Sequence, residues 1–597
     1  MIEYRAPLAD MRFVLRHLAG MEELAKVSGR EDFSSETADA VLEEAGKFAA
    51  EILAPLNHSG DREGARCEAG EVSTPAGFRD AYAKLVAAGW MGVESDPEWG
   101  GQGLPRSLGA AVREMWAASN LAFSLALPLN EGAIHAISIA GTDTQKKRYL
   151  PKLVSGDWTG CMSLTEPQAG SDLSAIRTRA EPQADGSYRV HGQKIFITFG
   201  EHDLAPNIVH LLLARIPGAP VGVKGISLFL LEKYPSMEGA DRGARNDIRC
   251  VGIEHKLGIH GAPTCSMAYG ENGGARAELL GEPHQGLATM FLMMNSARYA
   301  TGLQGVAIAE RAYQQARAYA RQRVQGRVIG KSGDADAIIG HADVRRMLMA
   351  MKARIEAMRA LCCVVAAMHD IAASHPDETE RLQAQRDIEL LTPVVKAWCT
   401  EGGIEVASLG IQVHGGAGYI EETGAAQHLR DARITSIYEG TTGIQAADLV
   451  GRKVARDQGA ALIDLIGRIS ACQRDLAKTR GEDFALMARM LGEGIEAVRK
   501  AGLHVTANYA EHPRQVLAGS VAFLELLGRV CGGWQMARAA LAARQCLDRG
   551  EGAVRFMRAK IITARFYADQ VLSAAPGLAH AACEGAEAAL TLEDDQF

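Results

Sequence analysis

Residues 437–445 read IYEGTTGIQ, and they set one carboxylate, Glu439, beside a flexible glycine and two hydroxyls in a region otherwise patterned as helix. A carboxylate so placed suits a catalytic base, although a Glu before a Gly also marks the solvated end of many ordinary helices. Three upstream segments fall in a matching order. Residues 163–172, SLTEPQAGSD, are broken by Pro167 and Gly170 into a loop crowded with small donors. Consecutive loop amides make a concavity for anions, and a plain Ser/Thr/Gly turn has much the same composition. Residues 192–198, GQKIFIT, alternate polar and apolar side chains, which predicts a strand with one buried face. Residues 412–422, QVHGGAGYIEE, offer glycines that let a nucleotide approach the backbone, but lack the GxGxxG spacing and the preceding strand of a Rossmann unit.

Composition narrows the field. A chain of 597 residues is too long for one core. Net charge is −8, with acids and bases interspersed and no long basic run, which argues against nucleic acid and anionic membranes as partners. The eleven cysteines are scattered, with no Cys-x-x-Cys pair or Cys/His cluster, so no metal is expected and a reducing cytoplasm is. The start, MIEYRAPLAD, lacks the apolar stretch of a signal peptide, and runs such as residues 361–368 are too short to span a bilayer.

Patterning divides the chain into four parts. Residues 1–160 read as helices, with Gly/Pro punctuation at 96–105. Residues 161–280 carry short alternating runs between turns and predict a β domain. Residues 281–455 return to helix, with Val344, Met347, Leu348, Met351, Ile355, Met358 and Cys362 forming one apolar face. Residues 456–597 form a further Ala-rich helical segment without a catalytic motif, expected to serve docking or oligomer stability.

These segments together resemble the acyl-CoA dehydrogenase flavoproteins over residues 50–455, about two thirds of the chain. Members of that family show, in order, a TEPxAGSD loop, a KxWIT strand, an RxQFG cofactor arm, a QxxGGxGY turn and a YEGT base segment. The corresponding stretches here are TEPQAGSD (165–172), KIFIT (194–198), RVQGR (323–327), QVHGGAGY (412–419) and YEGT (438–441). Length, the opening YRAPLADMRFVL and the C-terminal addition are most similar to the long bacterial branch acting on 3-methylmercaptopropionyl-CoA. The resemblance implies an α+β fold, with an N-terminal helical domain, a middle β domain and a C-terminal helical bundle, to which this chain adds a further helical domain.

The resemblance also implies the chemistry, an FAD-dependent α,β-dehydrogenation of an acyl-CoA to the trans-2-enoyl-CoA. Glu439 matches the base, and its own N–H, with a flavin hydroxyl, is expected to polarise the thioester carbonyl. Burial beside an acyl chain is expected to raise its pKa. Residues 293–299, MMNSARY, match the stretch that supplies the base in some relatives and hold no acid here. Thr165 matches the contact to the flavin's pyrimidine edge, Ser171 the pyrophosphate contact and Thr198 the threonine near N5. Phe196 stands where a tryptophan is usual, which keeps an apolar wall and loses an indole N–H. Arg323 and Gln325 match the arm to a neighbouring subunit's flavin, with Gly326-Arg327 replacing the usual Phe-Gly. Gln412, Gly415 and Gly416 match the adenosine turn, and Thr441 is expected to face the cofactor.

For substrate, the match points to Arg298, Tyr438, Gly440 and Asn295, the last standing where many members have Asp. The partners implied are an acyl-CoA, electron-transfer flavoprotein and a second copy of the chain, as homodimer or higher oligomer. Histidines 255, 260 and 414 are expected to be structural. The alternatives are a long-chain acyl-CoA dehydrogenase, an acyl-CoA oxidase, a flavin monooxygenase and a non-catalytic flavin-bearing protein of the same fold. The TEPQAGSD loop disfavours the oxidase. The intact Glu439 and acidic balance disfavour the non-catalytic form.

Overall fold

The computed structural model describes residues 3–27, 33–235 and 243–597, and it mixes helix with sheet as the α+β expectation required. Strands begin earlier than expected. Within the stretch read as helical, β1 (Arg66–Glu68) and β2 (Glu71–Ser73) pair antiparallel. Ala69 and Gly70 join them at φ 52° and 86°, the left-handed pair of a two-residue hairpin turn. Strands of three residues carry too little alternation to be visible in a sequence.

The middle of the chain supplies β3 (Trp158–Ser163), β4 (Arg179–Pro182), β5 (Tyr188–Thr198), β6 (Asn207–Arg215), β7 (Ile226–Glu232), β8 (Ile248–Ile253), β9 (Thr264–Tyr269) and β10 (Ala275–Leu280). They form one sheet in the order β10-β7-β6-β4-β5-β9-β8. In addition β3 lies parallel to β6, and β10 also pairs with β5. Successive side chains of β6 face opposite ways. Leu211 and Leu213 join Ile137, Tyr149 and Leu150 in one core. Ile208 and Leu212 join Phe229, Met267 and Tyr269 in the other. Covered on both faces, β6 and β7 need continuous apolar runs, and NIVHLLLAR and ISLFLLE provide them.

This sheet belongs to one of two compact units, Phe48–Leu104 with Ser119–Ala300. Met1–Lys47, Pro105–Ala118 and Thr301–Phe597 make the other. The long helices Ala342–Ser374 and Glu378–His414 run through the second unit, with Met347, Leu348, Met351, Ile355, Met358 and Cys362 buried as their spacing predicted. The added C-terminal helices are packed into this same unit. Trp398 of helix Glu378–His414 seats in a notch of helix Ser520–Arg549. A Cβ on Gly528 would lie 2.3 Å from its Cγ, and one on Gly532 2.5 Å from its Cη2.

A buried ionic cluster ties five segments of the second unit together. Arg359 donates from Nε and Nη2 to Glu114 (2.9 and 2.5 Å), from Nη1 to Asp10 (2.7 Å) and from Nη2 to Glu310 (2.7 Å). Lys560, on the added helix Val554–Gln570, donates to Asp10 and Glu356 at 2.7 Å each. Burial pushes the Asp10 carboxyl up, but the ammonium of Lys560 and then the guanidinium of Arg359 outweigh it and hold the group below the usual range. At Glu114 burial prevails over Arg359, and the carboxyl sits above the usual range.

Candidate active site

In the sheet unit, the loop at 163–172 is held by a pair of side chains, Lys194 and Glu166. Lys194, wholly buried, donates to the Leu164 carbonyl at 2.9 Å and to Glu166 at 2.8 Å. Glu166 also accepts from the N–H groups of Arg177 and Thr178 and from the Thr178 hydroxyl at 2.6 Å. The loop is thereby pinned on either side of Thr165, which stays half-buried and accepts from Ile195 N–H at its carbonyl. Ser171 is exposed at the loop's far end.

Lys194 breaks the alternation that predicted the strand. β5 pairs Lys194 with Met267 and Ile197 with Cys265, so two residues, Ile195 and Phe196, face one across the ladder. This β-bulge resets the phase. Lys194 and Ile197 point inward, and Phe196 is turned out, 58% exposed at φ 60°. Left-handed backbone at a bulky aromatic residue is uncommon and costs on the order of 1 kcal/mol. Thr198 follows, paired with Thr264 and half-buried. On the first turns of helix Gly286–Gln322, Arg298 is buried and Nη1 reaches Asn295 Oδ1 at 3.5 Å.

Glu166 makes this loop acid-sensitive. Burial raises its pKa, but the Lys194 ammonium and the hydrogen bonds from Lys194, Thr178 and the Arg177 N–H dominate, holding it at about 2 against an ordinary 4.5. Between those values the unfolded chain binds the proton and the folded chain does not, so stability present above pH 4.5 is lost as pH falls toward 2. Thermal midpoints of the wild type are expected to drop more steeply across that window than those of Glu166→Gln. Equal slopes would assign the acid sensitivity elsewhere.

The helical unit carries the remaining candidates. Glu439 lies half-buried at φ 57°, followed by Gly440 at φ 92°. Thr441 caps helix Thr442–Asp448 by accepting from Ile444 N–H at 3.3 Å, so at least one role of its hydroxyl is local. Thr442 donates to Glu401 at 2.5 Å, and Gln445 donates to the Glu439 carbonyl at 3.1 Å. The Tyr438 hydroxyl bonds Gln304. Burial, and after it the charges of Glu439 and Asp431, push the Tyr438 phenol above its ordinary range, so it stays neutral.

Arg323 and Gln325 stand on an exposed arm folded on itself. Val324 bridges Ala337, Gln325 N–H donates to the Asp336 carbonyl at 3.1 Å, and Ile338 N–H to the Arg323 carbonyl at 2.8 Å. The replacement at 326 is accommodated, because Gly326 turns the arm at φ 66°. Gln412 is exposed, and Gly415 ends helix Glu378–His414 at φ 60°.

The chain is 49% identical over 571 residues to the 3-methylmercaptopropionyl-CoA dehydrogenase of Ruegeria pomeroyi, covering 95% of this chain and 96% of that one. The chain belongs to the acyl-CoA dehydrogenase family. As a member it is an FAD-dependent oxidoreductase. Its N-terminal, middle and C-terminal family domains match residues 35–157, 161–271 and 284–454, and an acetyl-CoA dehydrogenase C-terminal-like domain matches 465–593. A butyryl-CoA dehydrogenase of Syntrophomonas wolfei is 33% identical over 96% of this chain and 95% of its own. In fold alone the dehydrogenase is similar to an acyl-CoA dehydrogenase of Bacillus anthracis solved with FAD. That likeness has a TM-score of 0.75 at 21% identity and covers 93% of this chain and 89% of that one.

Histidines 260 and 414 of the dehydrogenase do structural work, as expected. His260 bonds the Asp61 and Lys256 carbonyls, and His414 bonds the Gly410 carbonyl and stacks on Tyr319 at 4.4 Å. Among the described residues no His/Cys/Asp/Glu group could hold a metal, and no helix is long and apolar enough to cross a membrane.

Proposed function

We infer that the protein dehydrogenates an acyl-CoA thioester between Cα and Cβ, with 3-methylthiopropionyl-CoA or another short or medium acyl chain as substrate. The observation that carries this is the mount of Glu439, a carboxylate on strained backbone with its downstream flank fixed by Gln445, Thr441 and Thr442. Strain of this kind persists where the surroundings over-determine it, as they do around working groups.

The residues present fit FAD. Phe196 offers an outward apolar ring, and a Cβ on Gly170, Gly415 or Gly416 would meet nothing within 4 Å, which leaves open space over these glycines. Thr165 and Thr198 would hold the isoalloxazine edge, Ser171 the pyrophosphate, and Gln412, Gly415, Gly416, Arg323 and Gln325 a partner copy's cofactor in a homodimer or higher oligomer. When bound, FAD supplies the acceptor for the β-hydrogen with its electron pair. Glu439 takes the α-proton, and its N–H stabilises the charge that grows on the thioester oxygen. Neutral Tyr438 adds no competing charge beside the base. Arg298, with Asn295, serves the CoA side. Electrons then pass to electron-transfer flavoprotein, and the eleven free cysteines suit a cytoplasmic site.

Anaerobic titration of the purified holoprotein with an acyl-CoA panel tests this. Rapid loss of the flavin's visible absorbance with 3-methylthiopropionyl-CoA or a short acyl-CoA is the expected result. Bleaching confined to long chains would overturn the substrate assignment. No bleaching with any member would overturn the reaction.

A further inference from the structure

Gln445 is wholly buried, and its amide donates from Nε2 to the carbonyl oxygen of Glu439 at 3.1 Å. Its Oε1, also buried, has no hydrogen-bond partner among the described residues. A buried amide with most of its capacity unused costs free energy that a methionine or leucine of similar volume would not. Packing therefore does not account for a glutamine here; the bond it makes does.

That bond closes on the peptide that matters for the carboxylate. Glu439 is at φ 57°, and the backbone torsions of a residue set the direction of its Cα–Cβ bond. Gly440 follows at φ 92°, where a Cβ would lie 2.6 Å from the same Nε2. The amide thus fills the space over Gly440 and grips the carbonyl that precedes it. Thr441, capping Ile444, and Thr442, donating to Glu401, secure the chain on the other side. The helix that carries Gln445 is itself packed on helix Glu378–His414 and on helix Ser520–Arg549 of the added segment.

We propose that Gln445 is the positioning residue of the catalytic base, holding the Glu439–Gly440 peptide in the one orientation that aims the carboxylate at the substrate's α-carbon. This rests on Glu439 being the base. Without the amide the peptide rotates, and the carboxylate spends most of its time in unproductive directions. A misplacement of that size acts on turnover far more than on binding.

The test compares the wild-type holoenzyme with Gln445→Met and Glu439→Gln in kcat, KM, FAD per chain, thermal midpoint and the pH dependence of kcat. Gln445→Met is expected to keep FAD, KM and melting close to wild type. Its kcat should fall roughly tenfold to a hundredfold, and the limb of the pH profile that reports the base should move. Wild-type kcat and pH profile, or a loss of activity explained by lost FAD, would overturn the positioning role. If Glu439→Gln still turns over, the base assignment itself fails, whatever Gln445→Met does. Should Gln445→Met not fold, Gln445→Leu is read by the same measurements.

Discussion

Glu439→Gln is expected to bind FAD and acyl-CoA and to lose dehydrogenation by roughly a thousandfold, within the range by which a positioned general base accelerates proton transfer. The amide is isosteric with the carboxylate, leaves the backbone N–H of residue 439 in place, and fits the same left-handed backbone. It cannot accept the α-proton. The stretch 293–299 offers no acid to replace it. The measurements are steady-state turnover, flavin content, and the spectral perturbation that ligand binding imposes on the flavin. A variant retaining a tenth of wild-type kcat would remove Glu439 from the role of base. A variant that lost flavin would say nothing of the chemistry until reconstituted.

Arg359→Met carries the largest expected effect on stability. The guanidinium reaches three carboxylates, Asp10, Glu114 and Glu310, from a fully buried position. Removing it takes the guanidinium from buried Glu114 and Glu310 and leaves Asp10 with Lys560, which costs about 3–5 kcal/mol where one partner of a buried pair is deleted. That is a large part of the 5–15 kcal/mol typical of a whole domain. Arg359→Lys keeps the charge but not the planar fork, so one ammonium cannot serve all three acids, and an intermediate loss is expected. Thermal midpoints of the holoproteins rank the three as wild type, Lys, then Met. Equal midpoints for Met and wild type would mean that the acids simply take up protons once the arginine is gone.

How much of this could be read in advance differs from element to element. The five motifs drew attention to the loop at 165–172, the bulged strand and the segment around Glu439, because most of them set glycines or hydroxyls at spacings that regular structure does not need. The alternation of residues 192–198 predicted the strand but not its phase. Only pairing with Met267 and Cys265 shows that Lys194 goes in and Phe196 out. The hairpin at 66–73 was invisible because it is too short to show a period. Arg359 illustrates the other limit. A charge beside an apolar stripe reads as the solvated edge of a helix, and the acids that neutralise it lie 49, 245 and 349 residues away. Gln445 sat within the quoted base segment, yet its role depends on a hydrogen bond that no residue pattern encodes.

The Lys560 ammonium lies between Asp10, from the first helix, and Glu356, from the middle of the chain, while Trp398 fills the glycine notch of helix Ser520–Arg549. Ending the chain near residue 455 is therefore expected not to yield a smaller working enzyme. A polypeptide ending near residue 455 would present a bare indole to water and set two carboxylates facing a cation that is no longer there. Its N-terminal helix would keep Arg359 at Asp10 but lose Lys560. In this lineage the last 140 or so residues are a late-arriving piece of the interior, and a nascent chain stays unfinished until they emerge.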